Sequence, residues 1–129
     1  MITHLTTNWV TETVADAIAL PTIREGFLGY AKTDGNTILV GWDQMSLEYT
    51  DLSVVNDKLD NIFEIVIFAE HRTEATAKSD LLKMVSQVRR HENRAITNGE
   101  WHLDTIIPSK FNNNQIFICT LRQTLYVGD

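Results

Sequence analysis

The chain changes its hydrophobic period once, and sharply, between Asn61 and Glu92. The segment opens as Asn-Ile-Phe-Glu-Ile-Val-Ile-Phe-Ala-Glu. Read with a period of two, Phe63, Ile65, Ile67 and Ala69 share one face of a strand, and Glu64, Val66, Phe68 and Glu70 share the other. The first face is wholly apolar and is expected to meet the core. The second is apolar in its middle and charged at its ends, so only partial cover is expected. After His71-Arg72 the period becomes helical: Ala77, Leu81, Val85 and Val88 form one stripe, with Leu82 and Met84 beside it. Thr73 can cap the start, Glu74 suits the positive end, and Arg89, Arg90 and His91 suit the negative end. A helix over Thr73–Glu92 would be roughly 30 Å long. A strand feeding a long one-faced helix is a two-layer unit. The predicted fold class is therefore α+β: a single, mostly antiparallel or mixed sheet packed against a long central helix.

The remaining segments read as additions to that sheet. Asn8 is a candidate cap, and Trp9, Val10, Val14, Ala17 and Ile18 predict a short amphipathic N-terminal helix that Pro21 ends near Leu20. Residues 22–31 suggest a short extended piece around Phe27, Leu28 and Tyr30. Asp34-Gly35-Asn36 marks a turn. Ile38–Trp42 reads as a strand and Ser46–Thr50 as a second, joined by a polar link. Asp51–Asp60 reads as a loop. After the turn at Asn98-Gly99, the alternation places Trp101, Leu103 and Ile107 on one face of a strand. Pro108–Asn114 reads as a second polar loop. Gln115–Val127 is the closing strand, with Phe117, Cys119, Leu121, Leu125 and Val127 on one face and a wet face at Thr120, Arg122 and Thr124. No repeat or linker divides the 129 residues, so a single domain over residues 1–129 is expected.

Charge and chemistry exclude more than they select. Apolar residues make up 43% of the chain and charged ones 22%, which is the balance of a folded globular domain. The single cysteine, Cys119, excludes a disulfide framework and a cysteine zinc site. No segment has the length of a membrane helix, and the first residues lack the pattern of a secretory signal, so folding in a reducing cytoplasm is expected. A net charge of −6 opposes non-specific binding to nucleic-acid phosphates. The dinucleotide, phosphate-loop, nucleophile-elbow and zinc-protease motifs are all missing. His71 beside Glu70, His91 beside Glu92 and His102 near Asp104 do not form ready ligand pairs, because neighbours on a strand point to opposite faces. Glu64 and Glu70 would stand about 20 Å apart along a strand, too far for an acid–base pair. Arg89, Arg90 and Arg94 read as a helix-end cluster. No catalytic residue, cofactor or metal is expected.

Aromatic residues at element ends point instead to protein contacts. Trp42 and Tyr49 flank the acidic span, Val54 and Val55 interrupt it, Phe111 precedes Asn112 and Asn113 in a polar loop, and Tyr126 lies near the end of the chain. These are the candidate interface residues. The loops Asp43–Asp60 and Pro108–Asn114 are expected to become ordered on assembly. Asp43, Glu48, Asp51, Asp57 and Asp60 gather negative charge within one span, with only Lys58 opposing them.

The order of these segments resembles the tail terminator, or tail completion, proteins of long-tailed bacteriophages. The residues that carry the resemblance are Asn8–Ile18, Ile38–Trp42, Phe63–Val88, Trp101–Ile107 and Ile116–Val127. It is a likeness of layout and covers nearly the whole chain. It implies a ring, usually a hexamer, that caps the tail tube and joins it to the head–tail connector or stopper protein, within the tail or neck of a virion assembled in the host cytoplasm. DNA would pass through without specific binding, and no membrane is involved. Six copies at −6 each would carry about −36 formal charge, with the acids above facing the lumen. Two alternatives remain: another head–tail joining protein with a different ring size, or a small α+β ligand-binding domain or enzyme.

Overall fold

The computed structural model describes residues 2–27, 35–49, 57–70, 73–90, 100–111 and 114–127. In chain order these form helix α1 (Ile2–Asn8), strands β1 (Thr22–Glu25), β2 (Thr37–Tyr49) and β3 (Asp57–Phe68), helix α2 (Glu74–Arg90), and strands β4 (Glu100–Phe111) and β5 (Asn114–Val127). The strands make one mixed sheet in the order β1-β2-β3-β5-β4. Only β1 and β2 run parallel; the other pairs are antiparallel. The α+β class read from the sequence is the observed one.

The strand–helix unit forms as its two periods dictate. Thr73 caps α2, its Oγ1 accepting the Thr76 N–H at 3.2 Å while its carbonyl accepts the Ala77 N–H at 2.9 Å. Ala77, Leu81, Met84, Val85 and Val88 then pack on Ile38, Val40, Ile65, Ile67, Cys119 and Leu121. The second face of β3 is covered in its middle, as its pattern predicts: Val66 and Phe68 are buried with Leu39 and Ile116, Phe111 and Ile118 pack beside them, and Glu70 is exposed. Thr124, expected on a wet face, is also buried. Gly35 adopts φ 71° in the turn into β2, a conformation that favours glycine. The neighbouring Asn36 side chain accepts the Glu70 N–H at 2.7 Å, tying that turn to the end of β3.

The N-terminal segment folds differently from its pattern. The helix lies over Ile2–Asn8, where Leu5 is buried, and residues 9–20 are irregular. Thr13, at φ 71°, is incompatible with a continuing helix. The β-branched residues Val10, Thr11, Thr13 and Val14 weaken helix propensity there. The decisive competitor is Gln87, buried on α2. Its Oε1 accepts the Val10 N–H at 2.9 Å, and its Nε2 donates to the Val10 carbonyl at 2.7 Å and the Asp16 carbonyl at 2.9 Å. The Trp9 indole N–H donates to the Ile18 carbonyl at 3.0 Å and closes the loop. Asp16 accepts from Ser86 at 2.9 Å and pairs with Arg90.

Two bulges correct the strand assignments. Trp42 pairs with Phe63 and Gln44 with Ile62, so Asp43 is an extra residue in β2. The strand therefore continues from Ile38 through Tyr49, and β3 starts at Asp57; most of the expected acidic loop is paired sheet, with only residues 50–56 outside the described residues. Asp104 is likewise an extra residue between Leu103↔Leu121 and Thr105↔Thr120. That shift puts Ile106, not Ile107, on the Leu103 face. Pro108–Phe111, expected as loop, is the end of β4, and the pair Phe111↔Asn114 leaves Asn112 and Asn113 between the strands, outside the described residues.

Leu81 is 1% exposed and its neighbour Leu82 is 61% exposed. Leu81→Ala should therefore cost about 2–5 kcal/mol and Leu82→Ala less than about 0.5 kcal/mol in a denaturant melt. Burial pushes the Asp16 carboxyl up, but the Ser86 hydrogen bond and the Arg90 guanidinium outweigh it and hold the group below its ordinary value of 3.8. Its contribution is thus complete above that pH and is lost as pH falls through the lowered folded value. Asp16→Asn should lower stability at pH 7 by about 1–3 kcal/mol and flatten the loss of stability below about pH 4.

Candidate functional site

The helices back one half of the sheet. α1 and α2 pack on the half of the sheet that holds Ile38, Val40, Ile65 and Ile67. Beyond the pair Trp42↔Phe63, β2, β3 and β5 continue together to the rows Leu47↔Leu59↔Leu125 and Tyr49↔Asp57↔Val127. From Phe63 to Asp57 this three-stranded arm is about 20 Å long. Its register sets three leucines in one row. At the base of the arm, Trp42 is 60% exposed, a large apolar area for an isolated side chain.

Trp42 also forms one wall of an open groove of about 560 Å³ between the start of α1 and the β1–β2 edge, with Ile2, Glu25, Phe27 and Phe63 among its other walls. Gly41 explains how Phe27 reaches this position. A Cβ on Gly41 would stand 2.5 to 2.8 Å from the Phe27 ring, so the ring rests on bare backbone. Across from Gly41 in β3 lies Glu64. Its burial, with Asp43 close by, raises the carboxyl above its ordinary value.

The residues chosen from the sequence do not converge into one site. Trp42 and Asp43 are exposed at the base of the arm. Tyr49, Glu48, Asp57 and Asp60 lie along the arm, and Tyr126 on its third strand. Glu48 pairs with Lys58, one register position from Tyr49↔Asp57, and Asp60 with Ser46, three positions from it, so the strand acids are divided between the two faces of the sheet. Asp51, Val54, Val55, Asn112 and Asn113 lie outside the described residues. Phe111 is half-buried, and its ring stands edge-on to Phe68 at 6.2 Å and 79°, so part of it packs within the chain.

A second exposed patch was missed by the sequence reading. Leu82 and Ile106 are both exposed and border a shallow groove on α2 together with Ser86, Arg89 and Arg90. Leu82 stood beside the helical stripe, but the Asp104 bulge, which carries Ile106 to the helix side, leaves no clear trace in the sequence. Asp104 itself stands 3.0 Å from the Arg122 guanidinium. Among the described residues, no three His, Cys, Asp or Glu side chains come together as metal ligands, and no helix is long and apolar enough to cross a membrane.

Gly41→Ala should cost about 1–3 kcal/mol, because the Phe27 ring must move. In a double-mutant cycle with Phe27→Ala, the two losses should be less than additive; additive losses would show that the ring does not rest on Gly41.

A scan against protein-family models finds no match for this chain, and a search of curated proteins finds none either.

Proposed function

We propose that the protein is a structural subunit that assembles into a ring, acting as a phage tail terminator that caps the tail tube and joins it to the head–tail connector. The observation that carries this reading is the three-stranded arm, in which β2, β3 and β5 stay paired beyond Trp42↔Phe63 through the rows Met45↔Asn61↔Gln123 to Tyr49↔Asp57↔Val127. An arm rich in apolar residues on one register face gains little by standing alone in water and much by lying against a neighbour. Trp42 at its base is a large aromatic anchor of the kind that dominates protein interfaces. In this reading Tyr49, Val54, Val55, Asn112, Asn113 and Tyr126 contact neighbouring subunits or the tube and connector. The acids on one face of the arm, either Glu48 and Asp60 or Asp57, together with Asp43 and Asp51, add negative charge along the lumen, which DNA crosses without binding. The subunit performs no catalysis and works in the virion after assembly in the host cytoplasm.

The groove beside Trp42 favours a second reading, a small ligand-binding domain, since its apolar walls and one carboxylate are the usual makings of such a site. Native mass spectrometry with negative-stain imaging separates the two. Closed rings, with six copies as the expected count, support the terminator; another closed count supports a different joining protein. A monomer at micromolar concentration overturns both assembly readings and leaves the groove.

A further inference from the structure

Two exposed apolar patches lie on the helix side of the sheet at opposite edges. At the β1–β2 edge, Trp42 lies with Ile2 and Phe63 beside Glu25, while Phe27, resting on Gly41, and Glu64 belong to the opposite face of the sheet. At the β4 edge, Leu82 and Ile106 lie beside Arg89, with Lys83 and Arg90 adjoining. In the sheet order, β2 and β4 are three strand spacings apart, about 14 Å. Glu25 places one acid at the rim of the first patch, and Arg89 and Lys83 place two bases at the rim of the second, where Asp16 already pairs with Arg90. A patch of the first kind repels its own copy and complements the other kind.

We propose that these patches are the two halves of one subunit contact, the Trp42 patch of one copy seating on the Leu82–Ile106 patch of the next. The occupant of each is a second copy of this chain. A contact between two different surfaces is head-to-tail: it makes a ring where the rotation between copies closes and an open filament where it does not. This inference rests on the ring reading above and adds to it the surfaces and the direction of assembly. Side chains, not strand pairing, make the contact on the β4 side. Pro108 lies opposite Phe117 in that edge strand and has no N–H to offer an added strand. The arm is then free to meet the tube or the connector.

The test is a mixing experiment with the full chain. Trp42→Asp disables one patch and Leu82→Asp the other, and both side chains are more than half exposed, so thermal melts should match wild type. Each variant alone should be monomeric by native mass spectrometry. Mixed in equal amounts, they should form a heterodimer, because each retains the patch that the other lacks. Glu25→Lys and Arg89→Glu are a second pair: each alone should weaken assembly at least tenfold, and both in one chain should restore it. If wild type forms rings but the mixed variants stay monomeric, or either variant still forms rings, the patch pairing is overturned and the ring reading stands. A monomeric wild type overturns both.

Discussion

The buried amide of Gln87 is the interaction on which the irregular half of this structure depends. Residues 9–20 belong to no helix or strand, so their backbone groups have no regular partners. Gln87 supplies three hydrogen bonds to them from a position with no solvent contact. An orphaned backbone group in such a place costs about 1–3 kcal/mol, comparable to a large share of a small domain's net stability. Helix α2 thus has two working faces. One is an apolar stripe that covers the sheet. The other, Ser86, Gln87 and Arg90, holds the segment that leads α1 into β1 through polar contacts at Val10 and Asp16.

This arrangement divides the labour within the chain. The helix-backed half supplies the core, with Leu5 of α1 and the α2 stripe closing over Ile38, Ile65 and Ile67. The same strands then run past that cover without changing partners. The β3–β5 ladder joins arm and core without a break, while the β2–β3 ladder passes the Asp43 bulge where the arm begins. Trp42 stands at the junction of these two parts of the sheet.

The strand and helix around Asn61–Arg90 were legible because each follows one unbroken period, and Thr73 is a plain cap. The two bulges hid the rest of the sheet. Ile38, Val40 and Trp42 are even-numbered apolar positions, whereas Met45, Leu47 and Tyr49 are odd-numbered. A strict period of two breaks at Asp43 and suggests two strands with a link, while one extra residue restores the phase and keeps a single strand. Asp104 does the same in β4, exchanging Ile106 for Ile107. The false helix at Trp9–Leu20 had a different cause. Its spacing was helical, but a partner 77 residues away in sequence satisfied the backbone better than a helix of β-branched residues could. No local pattern carries that information. The open patch at Leu82 shows the converse limit: an apolar residue beside a core stripe looks like core until the helix's rotation against the sheet is known.

Cys119 lies in the centre of the sheet under α2, and burial pushes its thiol up to about 12. At neutral pH almost none of it is thiolate, the species that alkylating and disulfide-forming reagents attack. As the chain's single cysteine, it leaves the native surface silent to maleimide chemistry. A fluorophore or spin label can therefore be attached at a cysteine introduced on the arm or either edge without first removing the native thiol, and distances reported by such labels would come from one defined position per subunit.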